Sequence, residues 1–248
     1  MTNPTNIKTL KEQFILRAEQ LKLKVQCTMD GTFFSQFAIV SEAPGDSEIR
    51  SGMPLSGGSG SLLWGTINKR LKMTRKDFYI TNVSKRQVLM ENNKKAMHQN
   101  ELSHWTELLI WELGWLPNVK YIIACGNYAL QALTGNSGIT NYRGSVLDVS
   151  LPNHNTGGTR TVTVICVNNP AAIIREPKLE TEYNMDNARI ARVLNGTHKP
   201  TEVSTLLYPT HKQVKEFVDD RATAEAFLGY DIEVINNETA CVGFADTS

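Results

Sequence analysis

Val40–Ser41–Glu42–Ala43–Pro44–Gly45, continued by Gly52–Met53–Pro54–Leu55–Ser56–Gly57 and Gly60–Ser61–Leu62–Leu63, sets the architecture of this chain. The apolar run Phe37–Ala38–Ile39–Val40 stops abruptly at its start. A short apolar run closed by Pro and Gly predicts a buried strand. Glu42 then falls at the strand's carboxyl end, the edge of an open α/β sheet at which ligands bind. The glycines at 45, 52, 57, 58 and 60 let the backbone come close to whatever is bound there.

The same pattern repeats along the chain. Strands are predicted at Gln36–Ser41, Phe78–Val83, Tyr121–Cys125 and Thr161–Val167. Helical periodicity separates them at about Ser61–Leu71, Asn100–Leu113 and Asn127–Leu133, and further helices are predicted over Asn6–Lys24 and Asn184–Leu194. Strands alternating with helices imply a parallel sheet covered on both faces. The predicted fold is therefore α/β, a three-layer sandwich with a central four-stranded parallel sheet. Pro152–Gly158 is polar and turn-rich and reads as an exposed loop.

The chain has 248 residues and a net charge of +1, so no overall basic bias marks it as a nucleic-acid binder. A local basic stripe is present at Lys69, Arg70, Lys72, Arg75 and Lys76, extended by Lys85–Arg86 and Lys94–Lys95. It fits either a solvated helix face or a phosphate-contacting surface. The four cysteines, Cys27, Cys125, Cys166 and Cys241, are not at metal-ligand spacing, and Cys125 and Cys166 lie in strand-like apolar runs as core thiols. With no signal peptide or long apolar segment in view, a reducing cytoplasmic setting and no membrane partner are expected.

Four segments, in order, resemble the iron–sulfur branch of the uracil-DNA glycosylase superfamily. The opening stretch resembles its first motif, G-E-A-P-G followed by G-x-P-F-x-G-x-x-G-x-L-L. Tyr79–Ile80–Thr81–Asn82–Val83 resembles Y-I-T-N-V, and Ile122–Ile123–Ala124–Cys125–Gly126–Asn127–Tyr128–Ala129 resembles the strand-to-helix step V-x-L-G-x-x-A. Asn169–Pro170–Ala171–Ala172–Ile173–Ile174–Arg175 resembles H-P-A-x-x-x-R, so that the likeness runs from about Phe37 to about Leu194. It implies DNA as partner and a flipped uracil as ligand. By resemblance, Glu42 and Asn169 are the catalytic candidates. Glu42 would favour a cationic sugar or orient water, and Asn169 would donate to the departing base. The expected binding residues are Ala43, Pro44, Gly45, Leu55, Asn82, Pro170 and Arg175. Asn82 would read the uracil edge, Leu55 would lie against the base, the loop from Pro170 would wedge into DNA, and Arg175 would contact phosphate.

The chain departs from the family at three places. Leu55 replaces the stacking Phe and forfeits about 1–3 kcal/mol of stacking. Asn169 replaces the motif-two His, a weaker donor worth about a hundredfold or more in rate. The four cysteines that usually hold an iron–sulfur cluster are missing: two are expected near Cys27, and the others where Ser84–Lys85–Arg86 and Glu101–Leu102–Ser103–His104 stand. No cluster is expected, and packing is expected to dock the helices instead.

After the domain spanning 1–196, a linker and connecting helix are expected over 197–228, with helical periodicity at His211–Phe227. Residues 229–248 contain Tyr230–Asp231–Ile232–Glu233, which resembles the D-x-E motif of proofreading exonuclease domains, with Ala240–Ala245 as the next strand of a hairpin. Asp231 and Glu233 would there hold divalent metal ions once the domain is complete; acids on an ordinary surface strand are the other reading. This resemblance implies the N-terminal part of a phage-type DNA polymerase, with the remainder of that polymerase chain as partner. Three functions follow as expectations: a module that binds uracil or modified uracil with weak or no excision, an active uracil-DNA glycosylase, or a structural platform of the polymerase.

Overall fold

A computed structural model describes the backbone of residues 3–88, 90–91, 94–95, 99–199, 210–223, 228–235 and 238–246, and side chains over 3–88, 100–199 and 210–219. The chain divides into two compact units, Met1–His198 and Lys199–Ser248.

The first unit opens with α1 (Ile7–Gln20). Its start is a capping box: Asn6 Oδ1 accepts from Thr9 N at 3.0 Å, and Thr9 Oγ1 accepts from Asn6 N at 3.3 Å. Then follow β1 (Asp30–Gly31), β2 (Phe37–Ser41), α2 (Asp46–Ser51), α3 (Gly58–Leu71), β3 (Phe78–Asn82), the short hairpin β4 (Met90–Glu91) and β5 (Lys94–Lys95), and α4 (Gln99–Gly114). The unit continues through β6 (Tyr121–Cys125), α5 (Asn127–Thr134), α6 (Ile139–Tyr142), β7 (Val146–Pro152), β8 (Thr159–Val167), α7 (Pro170–Arg175) and α8 (Glu180–Leu194).

The sheet has the order β1-β3-β2-β6-β8-β7. Its inner strands β3, β2, β6 and β8 are parallel and are the four predicted strands; β1 and β7 add antiparallel edges. The stretch predicted as a loop is mostly the turn joining β7 to β8, with Pro152 opposite Thr159 in the ladder. β7 escaped sequence reading because Asp148 and Ser150 interrupt it on its exposed side, as an edge strand permits.

Alternate residues of the inner strands feed two cores, which is why these strands read as unbroken apolar runs. On one face Ala38, Val40, Ala124 and Cys166 meet Phe14 of α1, Trp105 and Leu109 of α4 and Leu130 of α5. On the other, Ile39, Ile80, Ile123 and Ile165 meet Leu63 and Ile67 of α3 and Ile190 of α8. Helix, sheet and helix form the three layers, and the first two turns after β2 and β8 are left at the sheet's carboxyl edge.

The second unit contains α9 (His211–Thr223) and the antiparallel pair β9 (Leu228–Ile235) and β10 (Glu238–Asp246). Asp231 lies opposite Gly243 and Glu233 opposite Cys241, both on the same side of the register shift between Thr239 and Cys241. The side chains of Asp231 and Glu233, like those of Lys94 and Lys95, lie outside the described residues, as do residues 200–209 of the expected linker. Among the described residues, no helix is long and apolar enough to cross a membrane.

Candidate active site

The pairing of β2 with β3 continues past both strands. Val83 N donates to Ser41 O at 2.8 Å and Ser84 N to Glu42 O at 3.0 Å, and Asn82 lies in register with Ser41. Glu42 and Asn82 therefore sit at neighbouring carboxyl ends. Asn82 is 1% exposed, and among the described residues neither its Nδ2 nor its Oδ1 has a partner. Burying an amide unpaired is costly, so such a group stands out as one kept for something absent from the folded chain.

Asn169 reaches the same edge from the end of β8. It caps α7, its Oδ1 accepting from Ala171 N at 2.9 Å, and buried Pro170 follows at the first helical position. With the oxygen committed, Nδ2 is the donor that remains, and it donates to Glu42 Oε2 at 3.4 Å. Gly126, after β6, makes room for this: its φ is +93°, and a Cβ there would sit 3.0 Å from Asn169 Cβ. Ends of three parallel strands thus meet around Glu42 and Asn169, with Asn82 on a fourth. Ala43 is half-buried, Pro44 is buried, and Gly45 caps α2. Arg175 is exposed at the last residue of α7, next to Ile174, which is also exposed.

Leu55 is in the neighbouring loop, but its side chain is 3% exposed and belongs to the buried cluster of Ile39, Leu63 and Ile67. A side chain so buried leaves little face for a base and is part of the core. The Leu55 backbone is in the left-handed region, φ +53°, and is heavily tied. Its carbonyl accepts from Trp64 Nε1 at 2.9 Å and Arg75 Nη1 at 3.1 Å, and its N–H bonds the Glu48 carboxylate. Glu48 Oε2 also accepts from Gly45 N at 2.7 Å, so one buried carboxylate braces both loops. Burial pushes the Glu48 carboxyl above its ordinary range, and the two N–H groups draw it part of the way back.

Sequence reasoning missed both braces. The spacing from Gly45 to Glu48, a helix N-cap and its third residue, was the available signal for Glu48. Arg75 was assigned to the basic stripe. It is instead half-buried, ion-paired with Asp30 at 2.7 Å and bonded to Pro54 O at 2.9 Å. Lys85 is fully buried and Arg86 pairs with Glu101 at 3.0 Å, so neither extends a phosphate-facing stripe. Lys69, Arg70, Lys72 and Lys76 remain exposed.

Among the described residues, the cysteines are not gathered at one site. Cys27 lies in the expected region, with the Lys85 ammonium acting on its thiol, while Arg86 and Glu101, at two of the other expected ligand regions, pair with each other at 3.0 Å. Cys125 and Cys166 belong to cores on opposite faces of the sheet, and Cys241 is in the second unit. Burial pushes the Cys27 thiol up to about 11, Cys125 to about 12 and Cys166 to about 11, against the thiolate form that binds metal. Among the described residues, no group of three or more His, Cys, Asp or Glu could hold a metal ion.

A profile of the uracil DNA glycosylase superfamily matches residues 30–191, the span that contains Glu42, Asn82 and Asn169. The type-4 uracil-DNA glycosylase of Archaeoglobus fulgidus is 30% identical over 173 residues, which cover 67% of this chain and 80% of the relative. The type-4 uracil-DNA glycosylase of Pyrobaculum aerophilum is 34% identical over 161 residues, covering 60% of this chain and 74% of the relative.

Proposed function

The chain belongs to the uracil-DNA glycosylase superfamily, and we propose that its first unit recognises uracil, or a modified uracil, in DNA and excises it only slowly. One observation carries this reading: the buried amide of Asn82, with donor and acceptor both unused at the strand ends. Uracil presents the complement, a carbonyl that accepts beside an N–H that donates. Reaching a buried amide requires the base to leave the helical stack, as in enzymes that act on an extruded nucleotide. The names of the relatives, type-4 uracil-DNA glycosylases, support the same ligand.

The chemistry follows from the other two groups. As the bond between the sugar and the base lengthens, positive charge grows on the sugar and negative charge on the base. The Glu42 carboxylate favours the first and can orient the attacking water. Asn169 Nδ2 is the donor available to the second, a neutral amide where the family's motif has His. Its amide cannot carry a proton to the leaving base, and the absence of a stronger donor accounts for slow turnover.

The test is direct. Single-stranded oligonucleotides that differ only by uracil or cytosine at one position are titrated by fluorescence anisotropy, and the uracil strand is then incubated with protein and treated with alkali. The expected result is tighter binding of the uracil strand and slow strand scission, abolished by Glu42→Gln. Equal binding and an intact strand would overturn the reading.

We infer further that residues 229–248 belong to a proofreading-exonuclease-like domain of a DNA polymerase, with 197–228 as the linker and connecting helix before it. The support is that Asp231–Ile232–Glu233 lies on β9, paired antiparallel with β10, as a D-x-E strand motif requires. In a complete domain the two acids would hold divalent metal ions.

A further inference from the structure

Resting on that reading of Asn82, we propose that Lys85 is its positioning residue, holding the base-reading amide in place from a buried ion pair. Lys85 is fully buried, three residues beyond Asn82. Its Nζ donates to Asn82 O at 2.6 Å and to Thr81 Oγ1 at 2.7 Å, and it forms an ion pair with Glu112 Oε2 at 2.7 Å. Glu112, on α4, is also fully buried, and its other oxygen accepts from Tyr79 OH at 2.8 Å. The ammonium therefore ties the last two residues of β3 to α4. It also lies 4.8 Å from the Phe14 ring of α1, while the Lys85 carbonyl accepts from Gln26 N at 2.8 Å and Cys27 N at 3.1 Å.

Two arguments make this more than packing. A buried ion pair is a poor way to gain stability, because an apolar set of similar volume commonly does as well or better. The pair is better explained by what its hydrogen bonds hold. The Asn82 side chain, moreover, has no partner of its own among the described residues, so its place is set through its backbone. Lys85 binds that backbone at the carbonyl. The network also occupies the junction of α1, the 26–27 segment, the end of β3 and α4, which is where the sequence resemblance placed cluster ligands. The expected docking by packing alone is thus replaced by an ion pair that reaches the site.

The test uses the full chain. In Tyr79→Phe/Lys85→Met/Glu112→Leu all three polar groups are removed together, leaving no unpaired buried charge, and the melting temperature reports folding. The Asn82 side-chain amide resonance is assigned by its loss in Asn82→Ala. In the triple variant that resonance should shift and broaden. The preference for the uracil over the cytosine strand should fall by about tenfold or more, as a misplaced contact group predicts, with affinity for the cytosine strand unchanged. A purely structural role would alter melting and leave the resonance and the preference in place, and that result overturns the proposal. Should wild-type protein show no uracil preference, the proposed function fails, and the resonance alone still decides whether Lys85 positions Asn82. Glu112→Gln covers failure of the triple variant to fold. It keeps shape and removes one charge, so the Asn82 resonance should follow pH as Lys85 titrates; a resonance flat with pH counts against the proposal.

Discussion

Asn82 and Asn169 carry the same amide and are used differently. The Asn169 oxygen is committed to the Ala171 N–H, which leaves one aimed donor; Asn82 keeps donor and acceptor both free. Asn82→Ala should abolish the uracil preference in anisotropy titrations while leaving the melting temperature level or higher. It removes an unpaired buried amide whose desolvation costs about 1–3 kcal/mol, offset by the small space left. A clear fall in melting temperature would show that the amide has a structural partner. Asn169→His should raise the rate of alkali-sensitive scission by up to about a hundredfold, by supplying a stronger donor where charge collects on the base. It should also cost about 1 kcal/mol of stability, because the α7 cap is lost. Glu42→Gln in that background should cancel the gain, and a rate that does not move on Asn169→His would place the leaving base elsewhere.

At the level of elements, the site rests on the turn at Leu55, a non-glycine residue in left-handed backbone held by α3 and by Arg75. Gly60, in the first turn of α3, has no alternative residue: a Cβ there would lie 1.9 Å from the Leu55 carbonyl oxygen, which is backbone and cannot swing aside. Gly60→Ala should therefore lower stability by more than about 2 kcal/mol and weaken uracil binding with it, measured by denaturant melts and titration. The Arg75–Asp30 pair joins the same turn to β1. Burial works against the Asp30 charge, but the Arg75 guanidinium, helped by the Gly31 N–H and the Lys11 charge, outweighs it and holds the carboxyl below its ordinary 3.8. A folded-state value below the unfolded one means stability present above pH 3.8 and lost as pH falls below it. Asp30→Asn should accordingly melt earlier than wild type near neutrality, and the gap should close in acid. A gap constant with pH would deny the ion pair its role.

For the molecule as a whole, both hydrophobic clusters are built from residues before Leu194 or including it, all within the first unit. A chain ending at His198 should therefore fold with a melting temperature close to that of the full chain, retain the uracil preference and show no visible absorption band of an iron–sulfur cluster. Loss of uracil binding on truncation would put part of the site in residues 199–248.

The four inner strands and the helices between them were legible in the sequence because each buries an apolar face, and burial leaves a periodic trace over five or more residues. The strand-end place of Glu42 was legible from the apolar run that stops just before it, whereas Asn82 and Asn169 were singled out only by their resemblance to family motifs. The edge strands were not: β1 has two residues, and β7 alternates with polar ones. Nor were the partners of Lys85, Arg75 and Leu55. A lysine and an arginine in a basic run look alike whether solvated or buried, and what separates them is a carboxylate brought from elsewhere, Glu112 from 27 residues on for Lys85 and Asp30 from 45 residues back for Arg75. Leucine composition likewise says nothing of a left-handed backbone. Local periodicity determined the layers and the strand ends; long-range pairing, which only the folded chain brings about, decided which charges are paired inside and which amide is left without a partner among the described residues.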